Sequence, residues 1–165
     1  LVLSETPIQL RPVTLSDREN LFQWRNHPAV RQFALQPDAI DWESHCRWFS
    51  AALQNSQRVL LIGEVDGEPV GVLRYDLNAE PGSDFHRAEA LVSVYLVPQR
   101  MGQGLGAPLL VAGHVWLAAH YPQVRQLNAQ IVPANVASVK VFEKAGYQAV
   151  SPQGAQGILQ YAYRF

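Results

Sequence analysis

At 165 residues, with 48% hydrophobic and 16% charged side chains, the chain has the size and composition of one ordinary globular domain, which excludes disordered and fibrous classes. A formal charge of −1 without any run of Lys and Arg interleaved with aromatics offers no basic field to a nucleic acid. A single cysteine, Cys46, excludes a disulfide framework and a zinc cluster of cysteines, as in a reducing compartment, so the expected location is cytoplasmic. The longest apolar stretch, Leu109 to Tyr121, is interrupted by His114 and His120 and falls short of the roughly 20 residues that span a bilayer, so no membrane partner is expected. The chain opens Leu1-Val2-Leu3-Ser4 without methionine or a signal segment, as a trimmed chain or one domain of a longer polypeptide would.

In chain order, Ile8 to Val13 reads as a strand. Ser16-Asp17-Arg18-Glu19 follows as a capping box opening a first helix that runs toward Asn26 and stops before Pro28. Asp41 caps a second helix whose stripe Trp42, His45/Cys46, Phe49, Leu53 recurs at helical spacing. Val59 to Val65 and Pro69 to Asp76 are strands joined by the hairpin signal Asp66-Gly67. A polar loop, Asn78 to Arg87, carries Glu80, Asp84 and His86 as a solvated face or a substrate lid, and leads into a strand from Ala88 to Val97.

Leu105 to His120 is apolar on almost every side, as in a helix packed between a sheet and another layer. Leu127 to Val132 is a strand, Asn135 to Ala145 a helix ended by Gly146, and Tyr147 to Val150 and Leu159 to Phe165 close the chain as strands. The order β-α-α-β-β-β-α-β-α-β-β, without repeat or linker, describes a single mixed α/β domain over residues 1–165.

Between the strand ending at Val97 and the apolar helix lies Met101-Gly102-Gln103-Gly104-Leu105-Gly106. Glycines let the backbone approach a bulky anion, and the unpaired N–H groups of a helix start, with the positive end of its dipole, bind it. This is the anatomy of a pyrophosphate cradle; the alternative is a glycine-rich helix cap that holds no ligand. Gly102-x-Gly104-x-x-Ala107 also fits the dinucleotide fingerprint, but that motif needs an acid about 20 residues further on. After Glu89 the next acid is Glu143, so the ribose partner is missing.

That turn, together with Asn135-x-x-Ser138-x-x-x-Phe142-Glu143-Lys144-Ala145-Gly146-Tyr147 after the fifth strand, resembles the GNAT superfamily of acetyl-CoA-dependent N-acetyltransferases across nearly the whole chain. The resemblance implies a mixed twisted sheet flanked by helices, acetyl-CoA as cosubstrate and no metal. The family turn reads Arg/Gln-x-x-Gly-x-Gly/Ala, so Met101 stands where Arg or Gln is usual, while Gly104 and Gly106 match. Residues Met101 to Gly106 are the implied pyrophosphate site. By the same resemblance a backbone amide near Tyr95, Leu96 and Val97 meets the oxyanion beside a bulge, Asn135 with Ser138 holds the pantetheine arm, and Phe142 lies near the sulfur. A plain helix N-cap is the other reading of Asn135.

Within the superfamily, Leu10-Arg11-Pro12-Val13, Trp24-Arg25-Asn26-His27-Pro28-Ala29-Val30-Arg31, Ile40 and His45-Cys46-Arg47-Trp48-Phe49 look like the amino-sugar N-acetyltransferases of the pseudaminic acid pathway. These acetylate the 4-amino group of a UDP-linked dideoxy-altrosamine derivative. Ribosomal-protein N-terminal and polyamine acetyltransferases share this opening more loosely. In the sugar enzymes the residues matching Arg25, His45 and Tyr95 are linked to the nucleotide-sugar pocket.

Acetyl transfer to an amine needs an unprotonated nucleophile, donors for a developing oxyanion and a proton for the departing thiolate. Direct attack is expected, because Cys46 shares the helical stripe of Trp42 and Phe49, where a packing role outweighs a nucleophile's. Phe142 stands where many relatives carry a tyrosine, and phenylalanine has no proton to give. Tyr95 is a substitute donor or a core aromatic. The base is His45 or, through water, Glu89. Arg25 either pairs with a buried acid or takes the diphosphate of an anionic acceptor through its paired donors. A non-catalytic acyl-CoA-binding module is the alternative from another class, and a sheet edge could support a homodimer.

Overall fold

The run Val70-Gly71-Val72-Leu73-Arg74-Tyr75-Asp76-Leu77 alternates between two kinds of side chain, and successive strand residues face opposite sides of a sheet. Gly71, Leu73, Tyr75 and Leu77 face a wholly apolar layer. Val70, Val72, Arg74 and Asp76 face one that begins apolar and becomes charged. This difference between the faces organises the molecule and places its site. The computed structural model describes residues 7–77, 88–150 and 157–165; the loop expected at Asn78 to Arg87, with Glu80, Asp84 and His86, lies outside them.

The elements are β1 (Gln9–Pro12), a 3-10 turn (Leu15–Asp17), α1 (Arg18–Asn26), α2 (Pro28–Arg31), α3 (Trp42–Gln54), β2 (Arg58–Val65), β3 (Glu68–Leu77), β4 (Ala88–Leu96), a 3-10 turn (Pro98–Arg100), α4 (Gly106–His120), β5 (Val124–Ile131), α5 (Val136–Lys144), β6 (Gln148–Ala149) and β7 (Leu159–Arg164). Seven strands form one sheet in the order β1-β2-β3-β4-β5-β7-β6. Only β4 and β5 pair in parallel, with α4 as the crossover that a parallel pair requires.

The larger core lies under α4 and α5, where Leu61, Leu73, Leu109, Leu110, Leu117 and Leu127 are all fully buried. On the opposite face Phe49 and Leu21 from α3 and α1 pack on Leu60, Ile62 and Val72, a smaller core that ends at β3. At about 25 cal/mol per Å², burial of these side chains is the main stabilising term.

Three local expectations are corrected. The capping box is not Ser16 with Glu19: the Thr14 N–H donates to Asp17 Oδ2 at 2.8 Å. The Leu15–Asp17 turn starts the helical path two residues earlier, and Asp17 is further held by Arg11 Nη2 at 2.8 Å. Glu19 instead accepts from Gln23 Nε2 at 3.4 Å. After Pro28 the chain makes another turn of helix, α2, because proline is well suited to a first helical position. On α3, Trp42 is 41% exposed, since it stands at the first helical residue; it packs edge-on against Phe22 at 5.1 Å. Asp41 caps this helix as expected, accepting from Ser44 N–H at 2.9 Å.

Candidate active site

Strands β4 and β5 run side by side only from Ala88 and Val124 to Leu91 and Asn128. Beyond that point β4 continues against β3 as far as Leu96, while β5 continues against β7 as far as Ile131. The two central strands therefore part, and the cleft between them is floored by backbone. Antiparallel ladders alternate the direction of their N–H groups. Val97 N–H donates to Val70 O at 2.9 Å, so with a register that pairs Tyr95 with Val72 and Leu96 with Gly71, the amides of Val94 and Leu96 point away from β3 into the cleft. This corrects the expectation for Val97, whose donor is taken, and for Tyr95, whose amide faces β3. The register irregularity is also not beside these residues but between Ala88 and Glu89.

The glycine turn lies at the end of β4. Gly102 and Gly104 have φ of 76° and 72°, and a Cβ built on either meets nothing within 4 Å. The turn is thus glycine for conformation and open on its outer side, as a site for a bulky anion requires. The first α4 bond runs from Leu109 N to Leu105 O at 3.0 Å, so the Gly106 and Ala107 amides precede the helical ladder, and Pro108 has none to satisfy. Gly106 serves packing as well: a Cβ there would come within 2.9 Å of Val141 Cγ1 on α5. Met101 and Leu105 are partly buried and Gln103 is exposed. Arg100, just before the turn, has a buried Nε without a hydrogen-bond partner among the described residues.

Asn135 is the N-cap of α5, its Oδ1 accepting from Ser138 N–H at 3.1 Å. This leaves its Nδ2 unused by the cap, so capping does not prevent the same side chain from binding a ligand. Phe142, one helix turn further, is 4% exposed, and its ring stands edge-on to Tyr147 at 4.9 Å. Tyr147 does not replace the missing proton donor: it is 2% exposed and its hydroxyl shares a hydrogen bond with His114 Nε2 at 3.1 Å.

On the face away from α4, β4 presents Glu89, Leu91, Ser93 and Tyr95, side by side with Asp76, Arg74 and Val72 of β3. Tyr95 packs against the smaller core with Trp24 and Trp48. It therefore lies across the sheet from Phe142 and does not occupy the place that Phe142 leaves without a hydroxyl. Burial raises the Tyr95 phenol above its ordinary value, opposed by the neighbouring Arg25 and Arg74, so the hydroxyl keeps its proton at neutral pH. Arg25, at the end of α1, is half-buried and forms no ion pair among the described residues. Burial lowers its pKa, Tyr95 opposes this, and the positive charge of Arg74 adds to it; the guanidinium remains a cation. Asn26 beside it fixes the following segment, donating to Ile40 O at 2.8 Å and accepting from Ile40 N–H at 2.9 Å.

His45 is 2% exposed and its Nε2 lies 2.8 Å from Arg18 O, which makes that nitrogen the donor. Its ring sits among Phe22, Trp42, Trp48 and Phe49. Burial is the first cause of its lowered pKa. These are the features of a hydrogen-bonded core histidine that ties α1 to α3 beneath Arg25, not of a base in contact with substrate. Glu89 is exposed and accepts from Asn128 Nδ2 at 2.9 Å, while Asn128 Oδ1 accepts from Gln126 Nε2 at 2.8 Å. Five residues at about 3.3 Å each separate Glu89 from Val94 along β4. Cys46 is a partly buried free thiol. Among the described residues no cluster of His, Cys, Asp or Glu could hold a metal, and no helix is long and apolar enough to cross a membrane.

The split strands, open glycine turn and capped α5 form a groove that suits a long thioester carrying a pyrophosphate. Residues 8–148 match the family described as Acetyltransferase (GNAT) domain, and the chain belongs to that family. It is therefore an acetyl-CoA-dependent N-acetyltransferase. Among its relatives, Aminoglycoside N(6')-acetyltransferase type 1 of Klebsiella pneumoniae is 23% identical over 155 residues, covering 88% of this chain and 76% of that protein. Acetyltransferase PseH of Campylobacter jejuni is 25% identical over 126 residues, 76% and 73% of the two chains. The solved structure of AAC(6')-Ib with ribostamycin and coenzyme A has a TM-score of 0.80 at 20% identity, covering 96% of this chain and 93% of that one, which shows the shared fold.

Arg74, Ser93, Gln126 and Asn128 are site candidates that reading the sequence passed over. Their signal was present as alternation: Gln126, Asn128 and Gln130 interleave with the buried Leu127, Ala129 and Ile131.

Proposed function

We propose that this enzyme transfers acetyl directly to the 4-amino group of a UDP-linked dideoxy amino sugar. The observation that carries the reading is Arg25: a half-buried guanidinium without an acidic partner among the described residues, beside the reactive strand and close enough to Tyr95 and Arg74 to feel both. A cation kept from water without a carboxylate suits an anionic ligand, and the guanidinium fork matches a diphosphate. The likeness to PseH over 76% of the chain, together with the resemblance that links Arg25, His45 and Tyr95 to a nucleotide-sugar pocket, supports the same acceptor class.

Acetyl-CoA supplies a thioester-activated acetyl group. The Gly102 to Gly106 turn holds its pyrophosphate and Asn135 its pantetheine arm, and the Val94 and Leu96 amides are the donors available to the developing negative charge. Tyr95 and Arg25 orient the acceptor from the opposite face. Glu89, held by Asn128 and Gln126, takes the amine's proton through ordered water. Phe142 offers no acid, so the thiolate leaves unaided; a thiol of ordinary pKa, about 8.5, is a fair leaving group near neutrality. The relatives also include aminoglycoside acetyltransferases, which makes a polycationic aminoglycoside or a polyamine the second reading; it requires an acidic acceptor face instead.

Steady-state kinetics of Arg25→Ala separate the two. With a UDP-linked amino sugar the acceptor KM rises at least about tenfold, the loss of a charge-assisted contact, while the acetyl-CoA KM is unchanged. Unaltered acceptor kinetics would remove Arg25 from the diphosphate site and the reading with it.

A further inference from the structure

The proposed acceptor site contains a second cation. Arg74 of β3 is directly opposite Ser93 in the ladder, and Val72 is opposite Tyr95, so Arg74 and Tyr95 emerge side by side on the face that Arg25 overhangs. One terminal nitrogen, Nη2, donates to Ser93 Oγ at 3.3 Å. Its Nε lies 3.2 Å from Asp76 Oδ2 without the alignment of a hydrogen bond, so this buried donor has no hydrogen-bond partner among the described residues. Asp76 is shared: its Oδ1 takes Arg58 Nε at 2.6 Å while its Oδ2 faces Arg74, so one carboxylate serves two guanidiniums.

The face therefore sets three guanidiniums, Arg25, Arg58 and Arg74, against two described carboxylates, Asp76 and, at the start of β4, Glu89. One positive charge is left in excess, and Arg25 and Arg74 stand beside a tyrosine hydroxyl and a serine hydroxyl. Like charges brought together at a half-buried site disfavour one another, and a ligand carrying two negative charges relieves the repulsion. One with several positive charges, such as a polyamine, aggravates it.

We propose that Arg74 and Arg25 together form a two-cation clamp for the diphosphate of a nucleotide-linked acceptor, with Ser93 and Tyr95 as its neutral hydrogen-bonding members. Arg74 is in this way a specificity residue that selects anionic acceptors and rejects polycationic ones. The inference rests on the acceptor reading above, which assigned Arg25 alone.

Calorimetric titration of UDP and uridine into protein saturated with CoA tests it, since CoA blocks the glycine turn as an alternative phosphate site. Wild-type protein is expected to bind UDP at least about tenfold more tightly than uridine. Arg25→Gln and Arg74→Gln each abolish that preference, leaving CoA affinity unchanged as evidence of folding. If Arg74→Gln fails to bind CoA, Arg74→Met, which keeps the packed stem, takes its place. Loss of preference in Arg25→Gln but not in the Arg74 variant would overturn the clamp while sparing the nucleotide reading. Failure of wild-type protein to prefer UDP would overturn both.

Discussion

Leu91 and Asn128 are the last facing residues of the two parallel central strands, and the cleft opens immediately beyond them. Asn128 also reaches back across this junction to hold Glu89 at 2.9 Å. In the proposed mechanism the placement of Glu89 and the separation of the strands thus depend on one position. Substituting Asn128→Ala and Glu89→Gln singly should each lower kcat, Glu89→Gln by about 10- to 100-fold, at the low end of what positioned proton transfer contributes because water intervenes. The double variant should be no slower than Glu89→Gln alone. Strictly additive losses in a double-mutant cycle would show that the bond has no part in turnover.

The glycines of the turn divide into two kinds. Gly104→Val forces a β-branched side chain to a φ of 72°, so the turn must rearrange, and the acetyl-CoA KM should rise about tenfold with the acceptor KM unaffected. Gly106→Val instead drives atoms into Val141, 2.9 Å from the new Cβ, and should cost about 1–3 kcal/mol of stability by overpacking. Denaturant melts alongside acetyl-CoA titrations distinguish the two effects.

A buried histidine far from the cleft sets the acid limit of stability. His114 is 6% exposed, stacked on Tyr163 at 3.8 Å, and burial pushes its pKa down from 6.5 to about 4. The unfolded chain then binds the proton that the folded chain refuses, so the contribution is whole above pH 6.5 and is lost as pH falls toward 4, by up to about 3 kcal/mol. His45, lowered in the same direction, adds to the slope. In His114→Phe the fall in unfolding free energy across this window should be much shallower; an unchanged slope would place the acid sensitivity elsewhere.

Phe142→Tyr restores a hydroxyl at the position where many relatives carry one. Because Phe142 is 4% exposed and packed on Tyr147, the new group should reach the cleft poorly and cost about 1–3 kcal/mol of stability if left unpaired. No more than a few-fold gain in kcat is expected. A large gain, measured at saturating acetyl-CoA, would show that thiolate departure limits turnover in this chain.

Most of the architecture was legible because its signals are local. The Asp66-Gly67 hairpin and the Asp41 and Asn135 caps each fix an element from a few neighbours in sequence. The glycine turn was legible for the same reason, its conformation being written in residue type. What escaped depends on contacts between distant segments. Whether His45 is a base or a core residue turns on Arg18, on another helix. Whether Val97 can offer its amide turns on Val70, on another strand. Arg74 reads as an ordinary strand cation until the register places it opposite Ser93 and shows that it shares Asp76 with Arg58.

The most direct test of the central claim is release of CoA thiol from acetyl-CoA, with and without protein, against UDP-linked amino sugars, kanamycin, spermidine and N-terminal peptides. Acceptor-dependent release, fastest with a UDP-linked 4-amino sugar, is the predicted result. Release with kanamycin or spermidine and none with the nucleotide sugars would contradict the proposed acceptor.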